Sequence, residues 1–293
     1  MSIINFGSLN IDDVYTVDHI LRPGETLAAS SYQIFPGGKG NNQSIALGRA
    51  GALVAHVGKV GADGLWLLDL LEKAGVDTSR VRKSDGPTGR AIIQVDSTGQ
   101  NSILLFAGAN KTLTHDELRA ALDTCRPGDW ILTQNEISGV SYLLAEAKAR
   151  GLPVAFNPAP MGPEVLDYPL DAVTLLVVNE TEAEALAGCS GSPERLLDAL
   201  AIRYPDMQIV LTLGGDGVVF HSASEGRLRV KGQSVKVVDT TAAGDTFLGY
   251  FLAARQRGFD IRKALETANQ AAAITVTRPG AASSIPLWDE VRI

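Results

Sequence analysis

Cysteine and histidine are scarce in this chain. Of its 293 residues only two are cysteine and four are histidine. Cys125 and Cys189 lie in unrelated segments with no C-x-x-C pair, which argues for two reduced thiols and against a disulfide framework. His19, His56, His115 and His221 show no H-E-x-x-H or H-x-H spacing, so zinc chemistry and a histidine-based triad are poorly supported. No stretch approaches 18 uninterrupted apolar residues, and no membrane span is expected. Residues 1–7 carry no basic region followed by an apolar run, so no signal peptide is expected. Positive charge is also in deficit, with 26 Lys and Arg against 33 Asp and Glu and a net charge of −7. That balance argues against a global electrostatic grip on nucleic acid or anionic lipid, and leaves local anion binding open. These absences together predict a soluble, cytoplasmic protein with neither nucleic acid nor membrane as a partner.

What remains is ordinary globular material: 45% hydrophobic and 20% charged residues. A chain this long buries roughly 75% of its unfolded surface and needs no disulfide or metal staple. Strand-like runs (Ile3–Phe6, Val54–Val60, 131–133, 154–156, 175–178, 209–213) alternate with helical patterns (40–50, 65–74, 115–125, 142–150, 180–187). This order predicts an α/β fold, a mostly parallel central sheet covered on both faces. Residues 12–35 and 90–106 break the rhythm with period-two alternation and turns at Pro23-Gly24 and Ser97-Thr98-Gly99. They predict a small antiparallel β-sheet lid within one domain spanning 1–293.

Glycine and proline, at 30 and 13 residues, are only slightly enriched, so their distribution carries the information. Pro36-Gly37-Gly38-Lys39-Gly40-Asn41-Asn42 precedes a helix and reads either as punctuation, with Asn41-Asn42 as a cap, or as backbone made bare for a ligand. It matches neither a Walker A loop nor G-x-G-x-x-G. Leu211-Thr212-Leu213-Gly214-Gly215-Asp216-Gly217-Val218 reads as a hairpin, with or without amides turned toward phosphate. Asn179-Glu180-Thr181-Glu182 ends a strand and caps a helix, at the kind of strand end where open α/β sheets bind ligands. Asp239-Thr240-Thr241-Ala242-Ala243-Gly244-Asp245-Thr246-Phe247 strips side chains from a helix N-terminus, whose N–H groups favour developing negative charge. A carboxylate in that first turn, Asp245, can take a proton from an attacking hydroxyl. An anion hole beside a carboxylate base is the layout for moving a phosphoryl group onto an alcohol.

Together, Gly37-Gly38-Lys39-Gly40-Asn41-Asn42, Asn179-x-x-Glu182 and residues 239–247 resemble the ribokinase-like (PfkB) carbohydrate kinases. The similarity runs from Gly7-Ser8-Leu9-Asn10-Ile11-Asp12 to Ala273-Ile274-Thr275-Val276-Thr277-Arg278-Pro279-Gly280. The resemblance implies a three-layer α/β/α sandwich whose lid mediates a homodimer. It implies Asp245 as base and the amides of Ala242, Ala243 and Gly244 as anion hole. Sugar contacts are implied for Asn10, Asp12, Gly38, Lys39, Asn42 and Glu136. ATP is implied at Asn179, Thr212, Gly214, Gly215, Gly217, Gly244 and Asn269, with Mg²⁺ held through water near Asn179 and Glu182. A monovalent cation, K⁺, is implied at Asp239, Thr241, Thr275, Arg278, Gly280 and Ser284, mostly through carbonyls. Leu248 and Asn269 depart from residues frequent in relatives (Asn and His). D-Ribose leads as acceptor; fructose, another pentose or a nucleoside are alternatives, and a non-catalytic sugar or nucleotide sensor is the reading from another class.

Overall fold

The computed structural model describes residues 1–291. Its first half runs β1 (Ile3–Phe6), β2 (Asn10–Thr16), β3 (Ser31–Gly37), α1 (Lys39–Arg49), β4 (Val54–Val60), α2 (Trp66–Lys73), β5 (Asp77–Lys83), β6 (Gly89–Val95), β7 (Asn101–Phe106) and α3 (His115–Leu122). Then follow β8 (Trp130–Gln134), α4 (Val140–Ala149), β9 (Val154–Asn157), β10 (Leu175–Asn179), α5 (Glu180–Ala187) and α6 (Pro193–Arg203). The chain closes with β11 (Gln208–Thr212), β12 (Val218–Ser222), β13 (Gly226–Val230), α7 (Ala243–Gln256) and α8 (Ile261–Thr275).

Nine strands form one sheet in the order β13-β12-β11-β10-β9-β8-β1-β4-β5. Every neighbouring pair is parallel except the β11–β12 and β12–β13 hairpins. Alternate residues feed two cores, as the pleat requires. Ile3, Leu132, Ala155, Val177 and Val210 pack with α1, α2, α7 and α8 on one face. Ile4, Ile131, Phe156, Val178 and Leu211 pack with α3 to α6 on the other. The expected three-layer sandwich is therefore present.

A second sheet, β3-β2-β6-β7, leaves the body directly after β1. Its outer pairs are antiparallel, as strands joined without a helix between them predict, whereas the central β2–β6 pair is parallel. Strands cover only the two ends of the first expected segment, at 10–16 and 31–37; residues 17–30 form a loop around Pro23-Gly24. β7 is exposed along its whole length.

Two helix starts bear on the site. α1 begins at Lys39 behind Gly38, whose φ of 90° suits glycine and few other residues. Asn41 and Asn42 therefore lie inside the helix, both buried, and do not cap it. By contrast, Asn179 does cap α5: Glu182 N donates to Asn179 Oδ1 (2.8 Å) and Asn179 N donates to Glu182 Oε2 (3.0 Å).

Candidate active site

The parallel strands end in polar residues along one edge of the sheet. Gln134 stands beside Asn157 in the β8–β9 register, and Asn179 beside Thr212 in the β10–β11 register. The N-terminus of α7 meets this edge, bringing Asp245, which is 8% exposed, among buried amides. Asn42 Nδ2 donates to Asp245 Oδ2 (3.1 Å), and Gln43 Nε2 donates to Asp245 Oδ1 (2.9 Å). Both oxygens of the carboxylate are thus fixed by donors from α1.

The loop entering α7 is shaped by Ala242. At φ 61° it is the one non-glycine residue with positive φ among the described residues, a conformation that costs an alanine about 1–2 kcal/mol. Ala243 N donates to Thr240 O (3.2 Å), while the amides of Ala242 and Gly244 have no acceptor among the described residues. Two of the three expected anion-hole donors are therefore free, and the third is already engaged. A Cβ added to Gly244 would meet nothing within 4 Å, so that glycine leaves open space at the helix start.

On one side of Asp245 the residues expected at the sugar assemble into a charged group. Glu136 Oε2 accepts from Ser8 Oγ and from Lys39 N (2.9 Å). Burial opposes the Lys39 ammonium, but Asp245, Glu136 and Glu182 hold its pKa above the ordinary lysine value. Burial likewise pushes Glu136 upward, against the pull of Ser8 and Lys39. Asp12 is pushed up to about 7, by burial first and then by Glu136 and Asp13. Its side chain sits where a Cβ on Gly37 would fall, 1.9 Å from Oδ1. Asn10 Oδ1 accepts from Asn110 Nδ2 (2.7 Å), which fixes its orientation. Gly38 supplies the turn into α1 beside Ser8 and Asn10.

On the other side lies a cavity of about 580 Å³. Thr212, Gly214, Gly215, Gly217, Gly244 and Asn269 all line it, as expected for the nucleotide. Gly214 and Gly215 face open space, like Gly244. Gly217 is constrained differently: its φ is 98°, and a Cβ there would stand 2.1 Å from Val230 O. Its glycine serves the hairpin crossing as much as the cavity. Asn179 does not line this cavity; it stays with Glu182 in the α5 cap. Burial raises the Glu182 pKa, although the Asn179 amide and Lys39 pull it down. One Glu182 oxygen serves the cap, and the other has no donor among the described residues.

Among the described residues no group of three or more His, Cys, Asp or Glu could hold a metal. A divalent ion at this site would therefore fit one held by phosphates and water, with Glu182 at its edge. The expected cation loops do meet. Asp239 Oδ1 accepts from Thr241 N (2.9 Å) and Oγ1 (2.6 Å), while Oδ2 accepts from Gly280 N (2.9 Å). Burial alone would raise Asp239, but these donors hold it below the usual carboxylate range. Thr275 Oγ1 lies 3.1 Å from both Ala271 O and Thr246 Oγ1, Ser284 Oγ donates to Ala281 O (2.7 Å), and Arg278 pairs with Glu290. With these side chains engaged, carbonyl oxygens are the groups left for a cation.

Sequence reasoning missed two sets of residues. Gln43 follows Asn41-Asn42 in a polar run, Asn41–Ser44, inside a buried helix, and that run is its one signal in the sequence. Val235, Val237 and Phe247 form an apolar wall of the cavity. Val235 and Val237 sit in a segment without regular structure, which no periodicity reveals.

A parallel sheet whose strand ends face a glycine-lined cavity beside a buried carboxylate is the layout of an enzyme that moves phosphoryl groups onto alcohols. The model of the pfkB family of carbohydrate kinases matches residues 2–288. A ribokinase from Haemophilus influenzae is 39% identical, over 97% of this chain and 95% of that protein. A ribokinase from Cryptococcus neoformans in complex with ADP superposes with a TM-score of 0.87 at 33% identity, covering 99% of both chains. A ribokinase from Arabidopsis thaliana complexed with ribose and ATP gives 0.85 at 29% identity, covering 99% of this chain and 97% of that one. The chain belongs to the pfkB family of carbohydrate kinases, ATP-dependent enzymes that phosphorylate sugars.

Proposed function

We propose that this kinase transfers the γ-phosphoryl group of ATP to the primary hydroxyl of D-ribose, giving ribose 5-phosphate. The observation that carries the reading is the position of Asp245, buried between the charged Asp12–Glu136–Lys39 group and the glycine-lined cavity and held by Asn42 and Gln43. Three carboxylates and several amides around one small volume suit a polyhydroxylated ligand, because each hydroxyl needs a partner that offsets its lost water. The relatives named ribokinase make ribose the first acceptor to test.

In this reading Asp245 takes the proton of the bound hydroxyl as its oxygen attacks the γ-phosphorus. One P–O bond forms, the bond to the bridging β-phosphate oxygen breaks, and ADP leaves with the electron pair. The amides of Ala242 and Gly244 donate to the oxygens of the transferring group, and the α7 macrodipole adds to them. Ala243 joins them where its bond to Thr240 opens. Glu182, with Asn179 beside it in the α5 cap, would hold the water of a Mg²⁺ ion, which would spread the charge of the phosphates. K⁺ between the Asp239 and Gly280 loops would stiffen the approach to α7 through carbonyls.

The chain is read as one kinase domain, 1–293, in which the β3-β2-β6-β7 sheet is a lid over the sugar. The exposed Ile103, Leu104, Leu105 and Phe106 make β7 an apolar edge strand, and through this edge two lids would pair in a cytoplasmic homodimer. A coupled ADP-release assay across ribose, 2-deoxyribose, other pentoses, fructose and nucleosides tests the substrate. The highest kcat/KM is expected with ribose; no turnover above background with ribose would overturn the assignment, and binding without any turnover would favour a sensor.

A further inference from the structure

Behind the base lies a buried line of hydrogen bonds whose direction is fixed at both ends by backbone carbonyls. Gly40 O can only accept, so Asn5 must turn its Nδ2 toward it (2.8 Å), and the same Nδ2 donates to Ser44 Oγ (2.8 Å). Asn5 Oδ1 then faces Gln134, which must present Nε2 (2.9 Å). That Nε2 also donates to Gln43 Oε1 (2.7 Å). With its oxygen taken, Gln43 has only Nε2 to offer, and it donates to Asp245 Oδ1 (2.9 Å) and to Asn157 Oδ1 (3.3 Å), which is oriented by Asn157 Nδ2 donating to Val177 O (3.0 Å). At the far end the Ser44 hydroxyl donates to His56 Nδ1 (2.8 Å), leaving Nε2–H to donate to Gly7 O (3.1 Å). Asn5, Gln43, Ser44 and His56 are fully buried. Burial keeps His56 neutral, with its pKa near 4, so every member has one protonation state and one orientation.

We infer that Gln43 is the positioning residue of the phosphoryl-transfer base: Asn5 and Gln134 on its oxygen side and Asn157 on its nitrogen side orient its amide so that it donates to Asp245 Oδ1, leaving Oδ2 and Asn42 to face the reacting hydroxyl. The inference rests on Asp245 being that base. A glutamine without these partners would still favour Nε2 toward the carboxylate but could turn away from it, leaving Oδ1 unheld and the base free to swing off line. The arrangement has one visible cost, since Gln134 Oε1 is left buried without a partner. Water on that atom would complete the set.

The test combines four variants with kcat and KM, calorimetric sugar and ATP binding, and thermal melting. Gln43→Leu removes the donor that holds Asp245 Oδ1, so kcat should fall about tenfold. The sugar and ATP affinities should change less than twofold. Gln134→Leu never touches Asp245 but removes the donor that holds Gln43 Oε1; a smaller loss of kcat at unchanged affinities is expected. Gln43→Asn, which keeps the amide on a shorter arm, should restore part of kcat. If Gln43→Leu does not fold, Gln134→Leu and Gln43→Asn decide the matter. An unchanged kcat in the folded variants, equal losses of kcat and ligand affinity, or losses that follow melting temperature alone overturn the inference. Asp245→Asn separates the two levels. If it retains turnover, the base assignment fails; if it is inactive while Gln43→Leu is normal, only the positioning role fails.

Discussion

The two sides of Asp245 solve opposite problems with different materials. Toward the lid, recognition is built from ionisable side chains packed close enough to disturb one another, with Asp12 pushed up to about 7 and Lys39 stabilised by three carboxylates. Toward α8, the cavity is built from bare backbone and apolar walls, with Gly214, Gly215 and Gly244 opening into it and Val235, Val237 and Phe247 beside them. The ligands explain the contrast. A neutral sugar brings hydroxyl donors and needs strong, oriented acceptors. A nucleotide brings its own charge and metal, and needs amides, room and an apolar surface for its base. A chain with net charge −7 can therefore handle triphosphates without a basic surface.

Removing the shared group should produce the largest effect. Asp245→Asn is expected to lower kcat by about 10³-fold while ribose and ATP binding, followed by calorimetry, stay within a few-fold of the parent. Two alanines should then split the sides by roughly tenfold changes in affinity. Gly244→Ala places a methyl in open space at the start of α7. It should weaken ATP, leave ribose alone and leave the melting temperature unchanged. Gly37→Ala drives its methyl into the Asp12 carboxylate, so it should weaken ribose and spare ATP. Equal losses of both ligands in either variant would erase the distinction.

The sandwich was legible because its strands are short apolar runs and its early helices end in glycine, as at Gly51 and Gly75. The β2–β6 pairing was not, since alternation reports which face is buried and carries no strand direction. α8 went unread despite Asp260 capping Lys263 N and the periodic Ile261, Ala264, Leu265 and Ala268. Its alanine-rich face offers little hydrophobic contrast. Within the site, residues in loops beside glycine were found readily. Gln43 was not, because a polar residue in a buried helix declares its partners only when β1, β8 and α7 close around it.

The difference between the two sides is tested most directly by measuring ribose and nucleotide dissociation constants in parallel from pH 8 to pH 6. Excess Mg²⁺ keeps the terminal phosphate ionised across this range. Asp12 has a folded-state pKa raised to about 7, so its carboxylate is present as an acceptor above that value and protonated below it. Ribose binding should weaken several-fold as the pH falls through 7, with Asp12→Asn weaker throughout but flat, while nucleotide binding stays constant. A flat ribose profile in the parent enzyme, or a nucleotide profile that bends with it, would contradict the account.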